Sequence, residues 1–265
     1  MHPRPDHGET SYKGSGKMNG RKVVVTGGDS GIGRAAAIAL AREGADVVIN
    51  YLPQEEEDAR EVLDLIKAAG QKGIGHPGDL RNETFCQELI DTAVDELGGI
   101  DCLVNVAGRQ QYTNDFVNLT TEYFDWTLKT NLYALFWLSK AAVQHMPEGS
   151  SIIATTSEEA YNPDGILTDY AMTKGGIETF TKSLAKSLIP KGIRVNAVAP
   201  GPFWTPLQVV GGQPQSVIAN FGNTSQIGRP GQPAEIAPLY VLLATSESTY
   251  LTGQIMGATG GDGFP

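Results

Sequence analysis

KVVVTGGDSGIGRAAAIALAREGA, residues 22–45, is the stretch on which the fold turns. Lys22 to Gly27 opens with a β-branched apolar run, which reads as a buried strand. The glycines of TGGDSGIG, Thr26 to Gly33, follow at once, and a helical pattern then runs from Ile32 to a stop at Gly44. Strand, glycine turn and helix in that order can hold a dinucleotide. Glycine lets the backbone approach a pyrophosphate, and the helix N-terminus supplies N–H groups and positive potential. Gly27, Asp29, Ser30, Gly31, Ile32 and Gly33 are therefore candidate cofactor contacts. The spacing is G-x-x-x-G-x-G rather than the commoner G-x-G-x-x-G, and a tight turn that needs small residues would read the same way.

Outward from this unit, short β-rich runs alternate with longer helical patterns. Strands are expected at 46–51, 72–80, 100–108, 150–157, 193–201 and near 252–257. Helices are expected at 55–70, 83–99, roughly 121–146, from about Thr168 to Leu188, and at 234–244. Such alternation predicts an α/β fold, a single-domain Rossmann-type doubly wound parallel sheet of about seven strands with helices on both faces. Residues 21–265 form that one domain, and residues 1–20, polar and rich in Gly and Pro, read as a flexible arm or one ordered by a partner subunit. The segment 201–232 is too long for an ordinary connection and reads as a substrate loop.

Composition narrows the function. The net charge of −10 disfavours nucleic acid and anionic membranes as partners. The N-terminus has no apolar signal region, and no apolar run reaches membrane-spanning length. The two cysteines, Cys86 and Cys102, read as reduced thiols, so a cytoplasmic protein is expected. None of the four histidines has metal-ligand spacing, and no metal is expected.

The second strand ends at Asn50-Tyr51, where an acid would hold an adenosine ribose and favour NAD. Its absence leaves room for a 2′-phosphate, although no Arg or Lys stands nearby. NADP(H) is thus favoured, with NAD(H) left open. Asp79, with Leu80 beside it, can meet an adenine amino group or cap the next helix. In APGPFWTPL, 199–207, the backbone of Pro200, Gly201 and Phe203 can contact a nicotinamide carboxamide, and Thr205 can reach phosphate. A rigid proline turn is the plainer alternative.

TDYAMTKGG, residues 168–176, carries the chemistry. Tyr170 and Lys174 stand four apart, on one helix face. They share a stripe with Ile177, Leu184 and Leu188, so the lysine points to the core, where its charge needs a purpose. A nearby ammonium stabilises tyrosinate, which suits a tyrosine acting as acid and base. Gly175 and Gly176 permit close approach of another backbone or a ribose, and Thr168 and Asp169 are placed to cap the helix. Ser157 ends a buried strand on the ligand side. Asn131 lies in an apolar helical run, as a functional amide or a satisfied packing one. Tyr161, Trp204 and the tract 207–228 are expected to wall the pocket.

With TGGDSGIG, NVAG (105–108), Asn131, Ser157 and YAMTK in order, the chain from about residue 20 resembles the short-chain dehydrogenase/reductase family. GIRVNAVAPGPFWTPL and GRPGQPAEIAPLYVLLA resemble the bacterial branch of general stress proteins and NADP-dependent aldehyde reductases. The resemblance implies a nicotinamide cofactor held in part by Asn105, Ala107 and Gly108. It implies Tyr170 as acid/base, Lys174 tuning it and binding the ribose, Ser157 orienting substrate, and Asn131 anchoring a water relay. It also implies a homotetramer, with the 121–146 helix and the Tyr–Lys helix packing across subunits. Two departures stand out: Val106 replaces a usual second asparagine, and GATGGDG lacks the usual acid before its glycine pair. The expected function is aldehyde or ketone reduction. The alternatives are oxidation of a sugar or polyol, or a non-catalytic nucleotide sensor; the sensor would be expected to lack Tyr170, Lys174 or Ser157, and all three are present.

Overall fold

The computed structural model describes residues 1–263. Its centre is a sheet of seven parallel strands in the order β3-β2-β1-β4-β5-β6-β7. The strands are β1 (Lys22–Thr26), β2 (Asp46–Tyr51), β3 (Gly73–Pro77), β4 (Cys102–Asn105), β5 (Ser151–Thr155), β6 (Arg194–Pro200) and β7 (Ile255–Ala258). The helices are α1 (Gly31–Arg42), α2 (Glu56–Ala68), α3 (Glu83–Leu97), α4 (Thr121–Leu128), α5 (Ala134–Ala142), α6 (Thr168–Leu188), α7 (Leu207–Val210), α8 (Gln215–Ala219) and α9 (Pro233–Ala244).

The period-two geometry of strands explains why apolar runs are needed here. Val23, Val25, Val47 and Ile49 enter one core with α1, α2 and α9. Val24 and Val48, the alternate residues, enter the other with α3, α5 and α6. Strands covered on both sides cannot alternate apolar with polar. The strand order reverses between β1 and β4, and the crevice at that point lies beyond the strands' C-terminal ends, where open α/β sheets bind ligands.

Three local expectations are revised. The helix expected over 121–146 is α4 and α5 joined by a π-helical segment, Lys129–Tyr133. Helix α6 is not capped by Thr168 or Asp169. Leu167 occupies the cap position without a side-chain bond, and the Asp169 carboxylate accepts from the Tyr170 N–H at 2.8 Å. Asn82, rather than Asp79, caps α3, accepting from the Thr84 N–H at 2.9 Å.

The first twenty residues lie along their own chain. The Arg42 guanidinium donates to the carbonyls of Gly8 and Tyr12, each at 2.7 Å. The Glu43 carboxylate accepts from the Tyr12 hydroxyl at 2.7 Å and the Ser15 N–H at 2.8 Å. Met18 is buried in the α1 core. This segment is polar because the atoms that hold it are charges and main-chain groups.

Among the described residues, no helix is long and apolar enough to cross a membrane, and no cluster of His, Cys, Asp or Glu could hold a metal ion.

Candidate functional site

The turn after β1 leaves backbone N–H groups of α1 free and small residues around them. Gly31 has φ of +52°, and a Cβ there would press on Thr205 at 3.3 Å. A Cβ at Gly33 would sit 2.0 Å from the Gly27 carbonyl oxygen, so only glycine lets α1 start against the strand. Ser30 precedes α1 without capping it, and no acid lies in the first turn. The first amides of α1 have no intrahelical acceptor, and their field is not neutralised locally. The crevice over Gly27, Gly31, Ile32 and Gly33, closed by Thr205, thus fits a pyrophosphate.

The β4 end closes the other wall. The Thr26 hydroxyl donates to the Asn105 side-chain carbonyl at 2.9 Å and accepts from the N–H groups of Val106 and Ala107 at 3.1 and 3.2 Å. Asn105 is thereby a tie between β1 and β4. A Cβ on Gly108 would stand 3.7 Å from the Lys174 ammonium and 3.8 Å from Asn131 Oδ1.

At the ribose end, Asn50 is buried and its amide N–H group donates to the Gly78 carbonyl at 3.1 Å, tying β2 to the loop after β3. The Tyr51 hydroxyl donates to Glu56 at 2.7 Å. Burial, with Glu55 adding repulsion, pushes the Asp29 carboxyl up to about 6. Asp79 holds the Arg81 guanidinium, with Nε at 2.9 Å from Oδ2, while Leu80 is buried beneath it. Phe203 is buried in the α1 core, against Gly231, and Pro200 ends β6.

Tyr170 and Lys174 are brought inward together, only 7% and 3% exposed. The ammonium lies 5.1 Å from the phenol ring centroid and donates to the Thr155 carbonyl at 2.8 Å. An ammonium has three donors, so a ribose hydroxyl has donors left to meet. Burial lowers the Lys174 pKa to about 7. The phenol behaves differently from the expectation that Lys174 pulls it down. Burial raises its pKa, the Ser157 hydroxyl opposes this by hydrogen bonding, and Glu159 and Glu158 raise it further. Burial thus favours the neutral phenol. Ser157 also accepts from the Glu159 N–H at 3.2 Å. Glu158, half-buried with Glu159 and Asp262 nearby, is pushed up to about 7, and its carboxylate reaches the Gly201–Thr259 end of the sheet.

Asn131 lies in the π-helical segment, a feature frequent at functional sites. Its two donors go to the Arg109 carbonyl and the Thr173 hydroxyl, each at 2.9 Å, and its oxygen accepts from the Arg109 N–H at 2.8 Å. The side chain is a brace, with one lone pair left for water.

Sequence reading missed the rest of this brace. The Thr127 hydroxyl donates to the buried Asp169 at 2.6 Å, and Arg109 donates to Thr127 at 2.7 Å. Thr127 and Asn131 stand four apart, as do Asp169 and Thr173, so two polar pairs meet across facing helices. That spacing was the available signal. Gly176 serves this contact, since a Cβ there would press on Leu132 at 3.1 Å, whereas Gly175 faces open space. Tyr161 interacts with Glu178. The Trp204 indole is turned towards the N-terminal segment, donating to the Pro3 carbonyl at 2.9 Å.

A family model described as enoyl-(acyl carrier protein) reductase matches residues 27–262. The oxidoreductase YhxD of Bacillus subtilis is 56% identical over 98% of this chain and 88% of its own length. A chloroplastic NADPH-dependent aldehyde reductase of Arabidopsis thaliana is 42% identical, covering 98% of this chain and 92% of its own. The crystal structure of a short-chain dehydrogenase from Burkholderia cenocepacia in complex with NADP superposes with a TM-score of 0.86 at 32% identity, covering 92% and 98% of the two chains. Shared sequence over nearly the whole length, on the same parallel sheet, settles the kinship: the chain belongs to the short-chain dehydrogenase/reductase family of oxidoreductases.

Proposed function

We propose that this protein is an NADP(H)-dependent carbonyl reductase acting on aldehydes or ketones. The observation that carries this reading is the buried Ser157–Tyr170–Lys174 group beside an open, uncapped α1 N-terminus. When bound, the cofactor supplies a hydride to the carbonyl carbon. Tyr170 gives its phenolic proton to the carbonyl oxygen as negative charge develops there. Ser157 donates a hydrogen bond to the same oxygen and fixes its position. Lys174 holds a ribose hydroxyl and, when protonated, stabilises the tyrosinate left behind. Asn131, Arg109 and Asp169 hold the two helices in register.

The cofactor contacts are Gly27, Asp29, Ser30, Gly31, Ile32, Gly33 and Thr205 for phosphate, and Asn50, Tyr51, Asp79 and Leu80 for the adenosine end. Asn105, Ala107, Gly108, Pro200, Gly201 and Phe203 take the nicotinamide half. NADP(H) is favoured because no carboxylate ends β2. The NADP complex of the Burkholderia protein and the NADPH dependence named for the Arabidopsis one support the same choice. Cytoplasmic residence is the reading that two free, buried cysteines, Cys86 and Cys102, agree with. Homotetramer formation is supported by the exposed Tyr123, Trp126, Tyr133 and Phe136 between the start of α4 and α5 and by Met172 on α6, apolar side chains that a partner subunit would cover.

The same phenol can accept a proton from an alcohol, so polyol oxidation is the same site run in reverse. Titration with NADPH and NADH, followed by quenching of tryptophan fluorescence, tests the cofactor assignment. NADPH is expected to bind at least roughly tenfold more tightly. Preferential NADH binding would overturn the reading of Asn50 and Tyr51.

A further inference from the structure

We propose that residues 3–6 form a strap that positions the substrate lobe by gripping its neck. The lobe, residues 205–229, hangs between two chain segments that meet as a short parallel bridge. Phe203 pairs with Gly231, the Trp204 N–H donates to the Gly231 carbonyl at 2.8 Å, and the Gly231 N–H donates to the Pro202 carbonyl at 2.9 Å. Its own helices, α7 and α8, are too short to be stable alone. Val209, Val210 and Ile227 are exposed. Away from the neck, the Tyr112 N–H donates to the Gly211 carbonyl at 2.7 Å and the Ile227 N–H to the Gly260 carbonyl at 3.0 Å, so the grip on the neck adds to these ties in setting the lobe's orientation.

The N-terminal segment holds it from outside. The Pro3 carbonyl accepts from the Trp204 indole N–H at 2.9 Å, on one side of the neck. The Asp6 N–H donates to the Gln232 side-chain carbonyl at 2.9 Å, on the other side. The Asp6 carbonyl accepts from the Ala234 N–H at 3.0 Å, satisfying a first-turn amide of α9 that has no intrahelical acceptor. The strap is anchored behind these contacts. Pro5, His7 and Gly8 are buried, Arg4 is ion-paired with Glu61, and Arg42 grips Gly8 and Tyr12. One end is thus fixed to α1 and α2, and the other bridges both sides of the neck. Without residues 3–6, the neck keeps its backbone bonds, the buried Phe203 ring and the Arg229–Glu235 ion pair but loses the outer grip, and opening of the lobe becomes easier.

The test deletes residues 2–7 and keeps the contacts of Gly8, Tyr12, Ser15 and Lys17 with Arg42 and Glu43. Hydrogen exchange is expected to accelerate roughly tenfold in amides of 203–232, with β1 and α1 unchanged, as loss of one or two net hydrogen bonds would give. Trp204→Phe, which removes only the indole donor from the full chain, is expected to act in the same direction. Its effect should vanish in the deletion background, because the two changes remove one contact. KM for the carbonyl substrate should rise roughly tenfold while kcat changes less than about threefold, since the reacting groups lie just after β5 and on α6. The kinetic expectation rests on the proposed function, whereas the exchange measurement does not. Faster lobe exchange with unaltered KM would keep the strap and overturn the reading of the lobe as a pocket wall. Unchanged lobe exchange in both variants, or equal acceleration across the sheet, would overturn the strap.

Discussion

Tyr170→Phe is expected to lower turnover by roughly 10²–10⁴-fold, the usual worth of a general acid, while cofactor affinity stays within about twofold. The ring keeps its packing in the buried α6 face, and Lys174, whose bond goes to Thr155 rather than to the phenol, keeps its place. Only the transferable proton is lost. The pH dependence follows from the same group. Burial raises the phenol's pKa, so the phenol itself imposes no fall on carbonyl reduction through neutral pH; a fall near pH 7 would report loss of the Lys174 proton, whose pKa burial lowers to about 7. Alcohol oxidation needs the phenolate and should rise with pH, and the Phe variant should lose that rise. Steady-state rates in both directions from pH 6 to about 10 check this. A variant with near-normal turnover would remove Tyr170 from the chemistry.

Lys174→Met is expected to do two opposite things. Turnover should fall by roughly 10²-fold or more, because the cation that stabilises the tyrosinate is gone. The apo protein should nevertheless melt at a higher temperature. Burial moves the lysine from 10.5 to about 7, so the folded chain binds its proton less readily than the unfolded chain does. At about 1.4 kcal/mol per pKa unit, the charge costs a few kcal/mol of stability, offset by about 1 kcal/mol from the Thr155 hydrogen bond. A net gain of about 2 kcal/mol corresponds to roughly 5 °C. The sign is set by proton binding. Below about pH 7 both states carry the proton, and the penalty is full; between pH 7 and 10.5 the unfolded state binds more protons, and wild-type stability rises with pH. The advantage of methionine should therefore be largest under mildly acidic conditions and fade as pH rises. Thermal melts at several pH values check this, and a Met variant that melts below wild type at pH 6 would contradict it.

The sheet was legible because most strands are apolar runs and most helices begin or end at a glycine, an acid or a proline; β3, GIGHP, carried the weakest signal. The Tyr–Lys pair was legible for a related reason: a lysine on an apolar stripe has few structural uses. The π-helical segment was not. Residues 129–133 keep helical spacing on average, and one extra residue in a turn leaves no hydrophobic signature. The Thr127–Asp169 and Asn131–Thr173 contacts join residues far apart in the chain, so only the matched four-residue spacing hinted at them. The pKa argument from sequence placed the ammonium's charge on the phenol, whereas the fold gives desolvation the larger share. Residues 1–20 read as a flexible arm or one ordered by a partner subunit because a polar segment can be held by main-chain acceptors, Arg42 and Glu43 without burying much apolar surface.

The central claim is hydride transfer to a carbonyl carbon assisted by Tyr170. It is tested most directly by incubating the protein with an aldehyde and NADPH deuterated at the transferable C4 position, then analysing the alcohol by mass spectrometry. The account predicts one deuterium on the carbinol carbon of the product, with formation slowed by Tyr170→Phe. An alcohol free of deuterium, or no alcohol from a panel of aldehydes and ketones despite tight NADPH binding, would contradict it.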